Sequence, residues 1–373
     1  MKNPLPACAV AVLLLVGLPL AGVGLAGHDL RTYLEFPPLT RHVAHAGFSW
    51  LAFLGVAAIA VLAAGLLAWG LRHGHGRAGG QSHDRARASL PWWGWLGLLL
   101  GLGTWVLAWT RFPWFQPFQR HTFTPLWFSY ILVVNALCWW RSGRCRLTDQ
   151  PGAFAMLFPA SAVFWWFFEY LNRFVQNWYY LGVEGFGPAA YVLLATVSFS
   201  TVLPAVLSTR DLLLTWPALG EGLRAGAPVR LGWARPAAVA ALVLAGAGLA
   251  LVGVWPSALF GLLWVSPFLI AGALQVLWGR CRLLEGLATG DWRDVVAGPL
   301  AGLLCGGFWE MWNVLSLAKW EYAVPFVDRF HLFEMPVLGY SGYLPFGLEC
   351  LVLGDLVLGA LPGHRSPGAG PSR

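Results

Sequence analysis

Two short polar motifs sit inside apolar stretches, Glu169-x-x-Asn172 and Glu310-x-x-Asn313. Residues three apart share one face of a helix, so each carboxyl lies beside an amide. A carboxylate in hydrocarbon is expensive and normally faces a bundle interior or a wet cavity. An acid so placed suits proton transfer to or from an apolar substrate. The amide is expected to hold the acid by hydrogen bonds. The structural alternative is a pair of polar residues that joins helices. Glu349 is a third acid in a later apolar stretch. Asp355 follows near the end of that stretch, where a hydrogen-bonded structural role is expected.

Candidate catalytic residues are therefore Glu310, Asn313, Glu169, Asn172 and Glu349. Polar and aromatic residues gather in the segments on the same side. Substrate contacts are expected from Trp320, Tyr322, His331, Glu334, Tyr340, Tyr343, Arg120 and His121. Trp and Tyr in such segments also form an ordinary interfacial belt. The Arg and His residues suit an anionic head group. His42-x-x-His45 with His121 or His331 has the residue types of a metal site. The HxxH spacing alone is not a ligand set, and neither a metal nor another cofactor is expected. P-loop, G-x-G-x-x-G, H-E-x-x-H and G-x-S-x-G patterns are absent from the sequence.

The two motifs belong to a duplication. Gly-Arg-Cys-Arg-Leu occurs at 143–147 and again at 279–283, an offset of 136. Leu126-Trp127-Phe128-Ser129 matches Leu263-Trp264-Val265-Ser266 at offset 137. Phe168 to Asn172 matches Trp309 to Asn313 at offset 141, and Trp178-Tyr179-Tyr180 matches Trp320-Glu321-Tyr322 at offset 142. Collinear matches with small drift indicate a tandem repeat. Aligning Pro188 with Pro345 sets Val192 opposite Glu349. The second copy then holds acids that the first lacks, and it is expected to bear the site.

Apolar helices must position these residues. Of 373 residues, 58% are hydrophobic and 11% are charged, against about 25% charged in a typical soluble domain. That excludes a soluble globular protein, a disordered chain and a collagen-like one. A β-barrel would alternate in segments of about ten residues. The expected fold is all-α, a polytopic transmembrane bundle. Ten spans of about 20 residues each are expected near 6–27, 46–71, 91–110, 125–140, 153–174, 188–208, 236–254, 257–278, 296–317 and 342–361. They group as 2 + 4 + 4. Residues 1–90 give two spans and a Gly/His/Arg-rich cytoplasmic linker. Residues 91–235 give the first repeat and 236–361 the second, and 362–373 form a disordered tail. A repeat unit of four spans keeps its orientation, so the repeat is parallel. The first stretch has signal-peptide features, with Lys2 ahead of it, but its length favours an uncleaved anchor.

Lys plus Arg number 24 and Asp plus Glu 17. With both termini inside, only Arg31, Arg41, Arg111, Arg120, Arg173, Lys319 and Arg329 fall outside. That asymmetry fits the positive-inside rule and explains the net charge of +7 without a nucleic-acid partner. The expected location is the inner (plasma) membrane, with membrane lipid as surroundings. Free thiols are expected at the six cysteines.

From Glu310 to Glu349, and in its duplication, the chain resembles the tandem-repeat membrane carotenoid enzymes, which include fused lycopene cyclases and carotenoid hydratases. The Pro-x-Glu-Glu motif of the cyclases is absent, so no residue role is carried over. The wider pattern looks more like bacterial polytopic membrane proteins than any single enzyme. The resemblance and the buried acids together imply an enzyme acting on a lipid or isoprenoid by carboxylate acid/base chemistry in the outer half of the bilayer. A proton-coupled transporter or channel is the alternative. A scaffold subunit of an envelope complex, with small-residue-rich spans 7 and 9 packed on a protein partner, is the third.

Overall fold

A computed structural model describes residues 5–38, 40–74, 89–279 and 281–359. Most of the expected linker at 73–90, and the expected tail at 362–373, fall outside the described residues. The described chain is mostly helical. In lipid the backbone must satisfy its own polar groups, so long apolar runs become helices.

The α-helices of eight residues or more are α1 (Leu5–Leu25), α2 (Trp50–His73), α3 (Trp92–Trp109), α4 (Phe123–Ser142), α5 (Pro151–Val175), α6 (Pro188–Phe199), α7 (Val202–Leu213), α8 (Ala234–Leu251), α9 (Leu262–Leu277), α10 (Arg282–Thr289), α11 (Arg293–Val314) and α12 (Tyr343–Gly359). Eight helical stretches among the described residues are long and apolar enough to cross a membrane. The number is nine if α9 and α10, which bend against each other, form one span. The protein is an integral, multi-pass membrane protein. The sequence reading of ten spans counted two stretches more than pass this test outright. One is α9, which has only 16 residues, and the other is α1, described as an apolar helix from Ala9 to Leu25.

Local chemistry sets the helix limits. Ser49 caps α2, its Oγ accepting from the Ala52 amide. Gly143 ends α4 in the left-handed region at φ 71°, where a glycine costs least. The span Pro188–Leu213 is broken between α6 and α7. Ser161 mends the break: its Oγ donates to the Phe199 carbonyl (2.6 Å) and accepts from the Leu203 amide (3.0 Å).

Small residues bring helices close, as in membrane bundles generally. A Cβ on Gly22 of α1 would lie 1.6 Å from the Ala250 carbonyl oxygen of α8. Gly298, Gly302 and Gly306 of α11 face α12 in the same way. These glycine faces are thus covered within the chain.

Helix α7 packs on α4, α5 and α11; α12 packs on α9, α11 and α5. The helix that matches α12 in its neighbours is therefore α7. Leu203-Pro204 then corresponds to Leu344-Pro345 at offset 141, the offset that separates Glu169 from Glu310. At the same offset Ser208 stands 141 residues before Glu349. The core lies where these helices meet, around the fully buried Trp127, Phe168, Leu203, Leu263 and Phe346.

Connecting segments meet at two ends. At one, the Ser49 amide donates to the Phe326 carbonyl (2.9 Å) and Arg111 Nη2 to the Leu315 carbonyl (2.7 Å). At the other, the Gly226 amide donates to the Gly290 carbonyl (2.8 Å) and the Ala227 amide to the His73 carbonyl (3.3 Å). The first end carries a two-stranded antiparallel ribbon, β1 (Trp178–Leu181) with β2 (Lys319–Tyr322). A smaller hairpin pairs β3 (His331–Leu332) with β4 (Met335–Pro336).

Candidate functional site

The β1–β2 ribbon is the key to both motifs. Its register sets Trp178 opposite Tyr322 and Tyr180 opposite Trp320. Side chains alternate along a strand, so these four share one face. Tyr179, Glu321 and Lys319 share the other. The inner face turns its polar atoms toward two carboxyls that are fully buried, Glu169 on α5 and Glu310 on α11.

Glu169 Oε1 accepts from Trp165 Nε1 (3.1 Å), Trp178 Nε1 (3.1 Å) and the Tyr180 hydroxyl (2.6 Å). Glu310 Oε1 accepts from the hydroxyls of Tyr322 (2.7 Å) and Tyr343 (2.8 Å), and Trp320 Nε1 donates to the Tyr322 oxygen (2.9 Å). In each carboxyl the second oxygen, Oε2, is buried without a hydrogen-bond partner among the described residues. The two sites differ in two donors: Trp178 reaches its acid whereas Trp320 donates to Tyr322, and Tyr343 stands where Glu169 has Trp165. Gly306 stands 141 residues after Trp165. A Cβ there would lie 2.3 Å from the Tyr343 ring. The missing side chain makes room for Tyr343, whose hydroxyl takes the role that the Trp165 indole has at Glu169.

The two asparagines do not bind the acids. Asn313 Nδ2 donates to the Trp320 carbonyl (2.7 Å) and its Oδ1 accepts from the Trp320 amide (2.9 Å). Asn172 Nδ2 donates to the Trp178 carbonyl (2.8 Å), and its Oδ1 accepts from the Asn177 (2.7 Å) and Trp178 (3.4 Å) amides. Each amide clamps the strand that carries the donors to the acid. This corrects the expected amide–carboxyl contact. Asn313→Ala should cost about 1–3 kcal/mol, because it strands two backbone groups of Trp320. Hydrogen exchange at the Trp320 amide should rise; unchanged exchange would mean that pairing with β1 alone holds the strand.

A cavity of about 150 Å³ lies against the ribbon. Its walls include Trp165, Trp178 and Tyr180 from the Glu169 group, and Trp320, Tyr322 and Tyr343 from the Glu310 group. Phe123, Phe199, Trp264 and Trp309 add to the apolar lining, Tyr191 adds a further phenol, and Arg120 and Lys319 supply charge. Glu169 and Glu310 stand one side chain behind the wall, covered by their tyrosines. The cavity therefore draws on both halves of the chain rather than on the second alone.

Of the residues expected to contact substrate, Arg120, Trp320, Tyr322 and Tyr343 line this cavity. The other four do not. His121 lies against Phe186, with ring centroids 5.5 Å apart. His331 Nε2 pairs with Asp328 (2.8 Å), Glu334 accepts from Lys319 Nζ (2.6 Å), and the Tyr340 hydroxyl donates to the Leu332 carbonyl (2.9 Å). These last three belong to the β3–β4 hairpin and its surroundings. Glu349 is buried, its Oε2 has no hydrogen-bond partner among the described residues, and it is not part of the cavity wall. His42 packs on Tyr179 and His45 on the Gln176 carbonyl. Among the described residues no group of three His, Cys, Asp or Glu is arranged to hold a metal. Sequence reasoning missed Trp165, Trp178 and Tyr180 as site residues. The signal was the Trp-x-Tyr alternation at 178–180 and 320–322, seen only as a repeat match.

The outer face of the ribbon is ionic. Glu321 accepts from the Tyr179 hydroxyl (2.7 Å) and pairs with Lys319 (3.0 Å). The Tyr179 hydroxyl, followed by Lys319, holds the Glu321 carboxyl below its ordinary range. Such a depressed group adds stability above the unfolded value and loses it as pH falls through the folded one. The stability gap between the native protein and Glu321→Gln should therefore close below about pH 4. A gap constant from neutral pH to pH 3 would remove this role.

The opposite end holds a polar cavity of about 440 Å³. A line of alternating charge crosses it. Arg146 pairs with Asp211 (2.5 Å), Asp211 with Arg210 (2.8 Å), Arg210 with Asp294, Asp294 with Arg282 (3.7 Å) and Arg282 with Asp355 (2.7 Å). Cys138, Cys145, Cys281, Cys305 and Cys350 are free thiols. No protein-family model, curated protein or solved structure matches the chain.

Proposed function

We propose that this chain is a membrane enzyme that moves a proton on a lipid or isoprenoid substrate. Glu310 acts as acid or base, and Glu169 is its counterpart across the cavity. One observation carries the reading: each buried carboxyl is linked by hydrogen bonds to tyrosine hydroxyls that line a single apolar cavity. A proton taken from the substrate passes to the phenol oxygen of Tyr322 or Tyr343 as that phenol's own proton moves to Glu310. The reverse sequence delivers a proton when Glu310 starts protonated. No charge remains on the tyrosine in either direction, which suits a site with apolar walls. Asn313 and Asn172 are positioning residues that act through the strands.

We read the helices as two N-terminal spans followed by two parallel four-span units. The matched neighbours of α7 and α12 and the shared offset of 141 support this. The arginine-rich end is the cytoplasmic one by the positive-inside rule, so the ribbon covers the outer face. The inner membrane is the corresponding location.

The test is mass spectrometry of total lipid extracts from cells with the protein, cells without it, and cells with Glu310→Gln at matched expression. A lipid that accumulates in both defective strains supports the enzyme and names its substrate class. An unchanged profile removes the enzyme reading. One observation favours a second reading, a proton-coupled transporter: polar and apolar cavities lie at opposite ends of the same helices. Proton-dependent uptake into proteoliposomes, with an unchanged lipid profile, selects it.

A further inference from the structure

We propose that the ligand of the ribbon-end cavity is an amphiphile with one oxyanion head, a carboxylate or a phosphate, and that Arg120 holds this head. The inference rests on reading the cavity as the substrate site and adds the class of substrate. The cavity wall carries two charged residues, Arg120 and Lys319, and no acid. Lys319 is committed, because its Nζ pairs with Glu321 (3.0 Å) and Glu334 (2.6 Å). Arg120 is exposed and has no carboxylate partner among the described residues.

Its guanidinium lies against the segment 185–186. The guanidinium carbon lies 5.9 Å from the centre of the Phe186 ring. A Cβ on Gly185 would come within 2.4 Å of Arg120 Nη1, so the missing side chain lets the guanidinium lie along the backbone. The hydroxyls of Tyr180, Tyr322 and Tyr343 already donate to carboxyls and that of Ser198 pairs with Thr124, which leaves Tyr191 as the one wall tyrosine without a hydrogen-bond partner among the described residues. A ligand that fills this space is thus mostly apolar and meets the unpaired cation of Arg120. A guanidinium binds carboxylate or phosphate through two parallel hydrogen bonds.

The wall tryptophans provide the assay. The purified full-length protein, in a detergent with an uncharged head, is titrated with 12-bromododecanoate, 12-bromododecyl phosphate and 12-bromododecanol while tryptophan quenching is followed. Both anions should bind at least about tenfold tighter than the alcohol. Comparison of the two anions shows which head is preferred. Arg120→Gln should erase the preference for anions and leave alcohol binding and the melting temperature unchanged. Arg120→Lys should keep part of the preference. Equal binding of alcohol and anions, a preference that survives Arg120→Gln, or no quenching by any probe would overturn the proposal. Glu310→Gln should bind the anions normally. Arg120-dependent binding beside an unchanged lipid profile would therefore sink the acid/base reading and leave this one standing.

Discussion

Replacing Glu310 by Gln should abolish turnover and leave the protein folded. The amide oxygen of Gln can accept from Tyr322 and Tyr343 as the carboxyl Oε1 does at 2.7 and 2.8 Å, so the hydrogen-bonded cluster survives. What disappears is the group that stores the relayed proton. General acid/base groups contribute about 10²–10⁴-fold, so the residual rate should fall by at least the lower figure. Glu169→Gln should be compared in the same lipid extracts, since its carboxyl has three donors where Glu310 has two. A Glu310→Gln protein that keeps full activity with a native melting curve would remove the assigned role.

A large loss of stability, coupled to the site, is expected at Gly302. A Cβ there would lie 2.4 Å from the Tyr343 carbonyl oxygen and 2.9 Å from the Gly347 Cα. Both are backbone atoms, and neither can rotate away. Gly302→Val must therefore push α12 off α11. Overpacking of this kind costs about 1–3 kcal/mol and sometimes more. The same displacement would carry the Tyr343 hydroxyl away from Glu310, so the change should lower activity as well as the melting temperature. Gly307→Val is the control, because no atom lies within 4 Å of a Cβ built there. Equal melting temperatures for the two variants would mean that the helices are not in contact as described.

The helices were legible because lipid leaves the backbone few other solutions. Each expected span has a helical counterpart, and the count fell short only where a stretch was short or bent. The buried acids were legible for the same reason, since a charge inside an apolar run stands out. Their partners were not. Strands of four residues carry almost no periodic signal, and β1 meets a strand that lies more than 130 residues away. The asparagines were misassigned because helix geometry alone sets an i+3 neighbour beside the acid. Asn172 and Asn313 stand in the last turns of α5 and α11, where the chain leaves the helix and the nearest polar groups belong to the next strand. His331, Glu334 and Tyr340 were grouped with Tyr343 by closeness in sequence. The β3–β4 hairpin turns them to partners of their own.

The ribbon also sets an order of assembly. Trp178 pairs with Tyr322, and a chain made from its N-terminus has no partner for β1 until α11 has been inserted. Until then Glu169 has its donors from α5 and β1, but the strand has an open edge and the cavity lacks half its wall. Closing so long a loop comes late in folding. The last pairing to form is thus the one that completes the cavity wall, and a molecule halted after α7 would hold its helices yet lack the Glu310 half of that wall. Such a molecule differs from the finished one at the ribbon end, where the edge of β1 stands open.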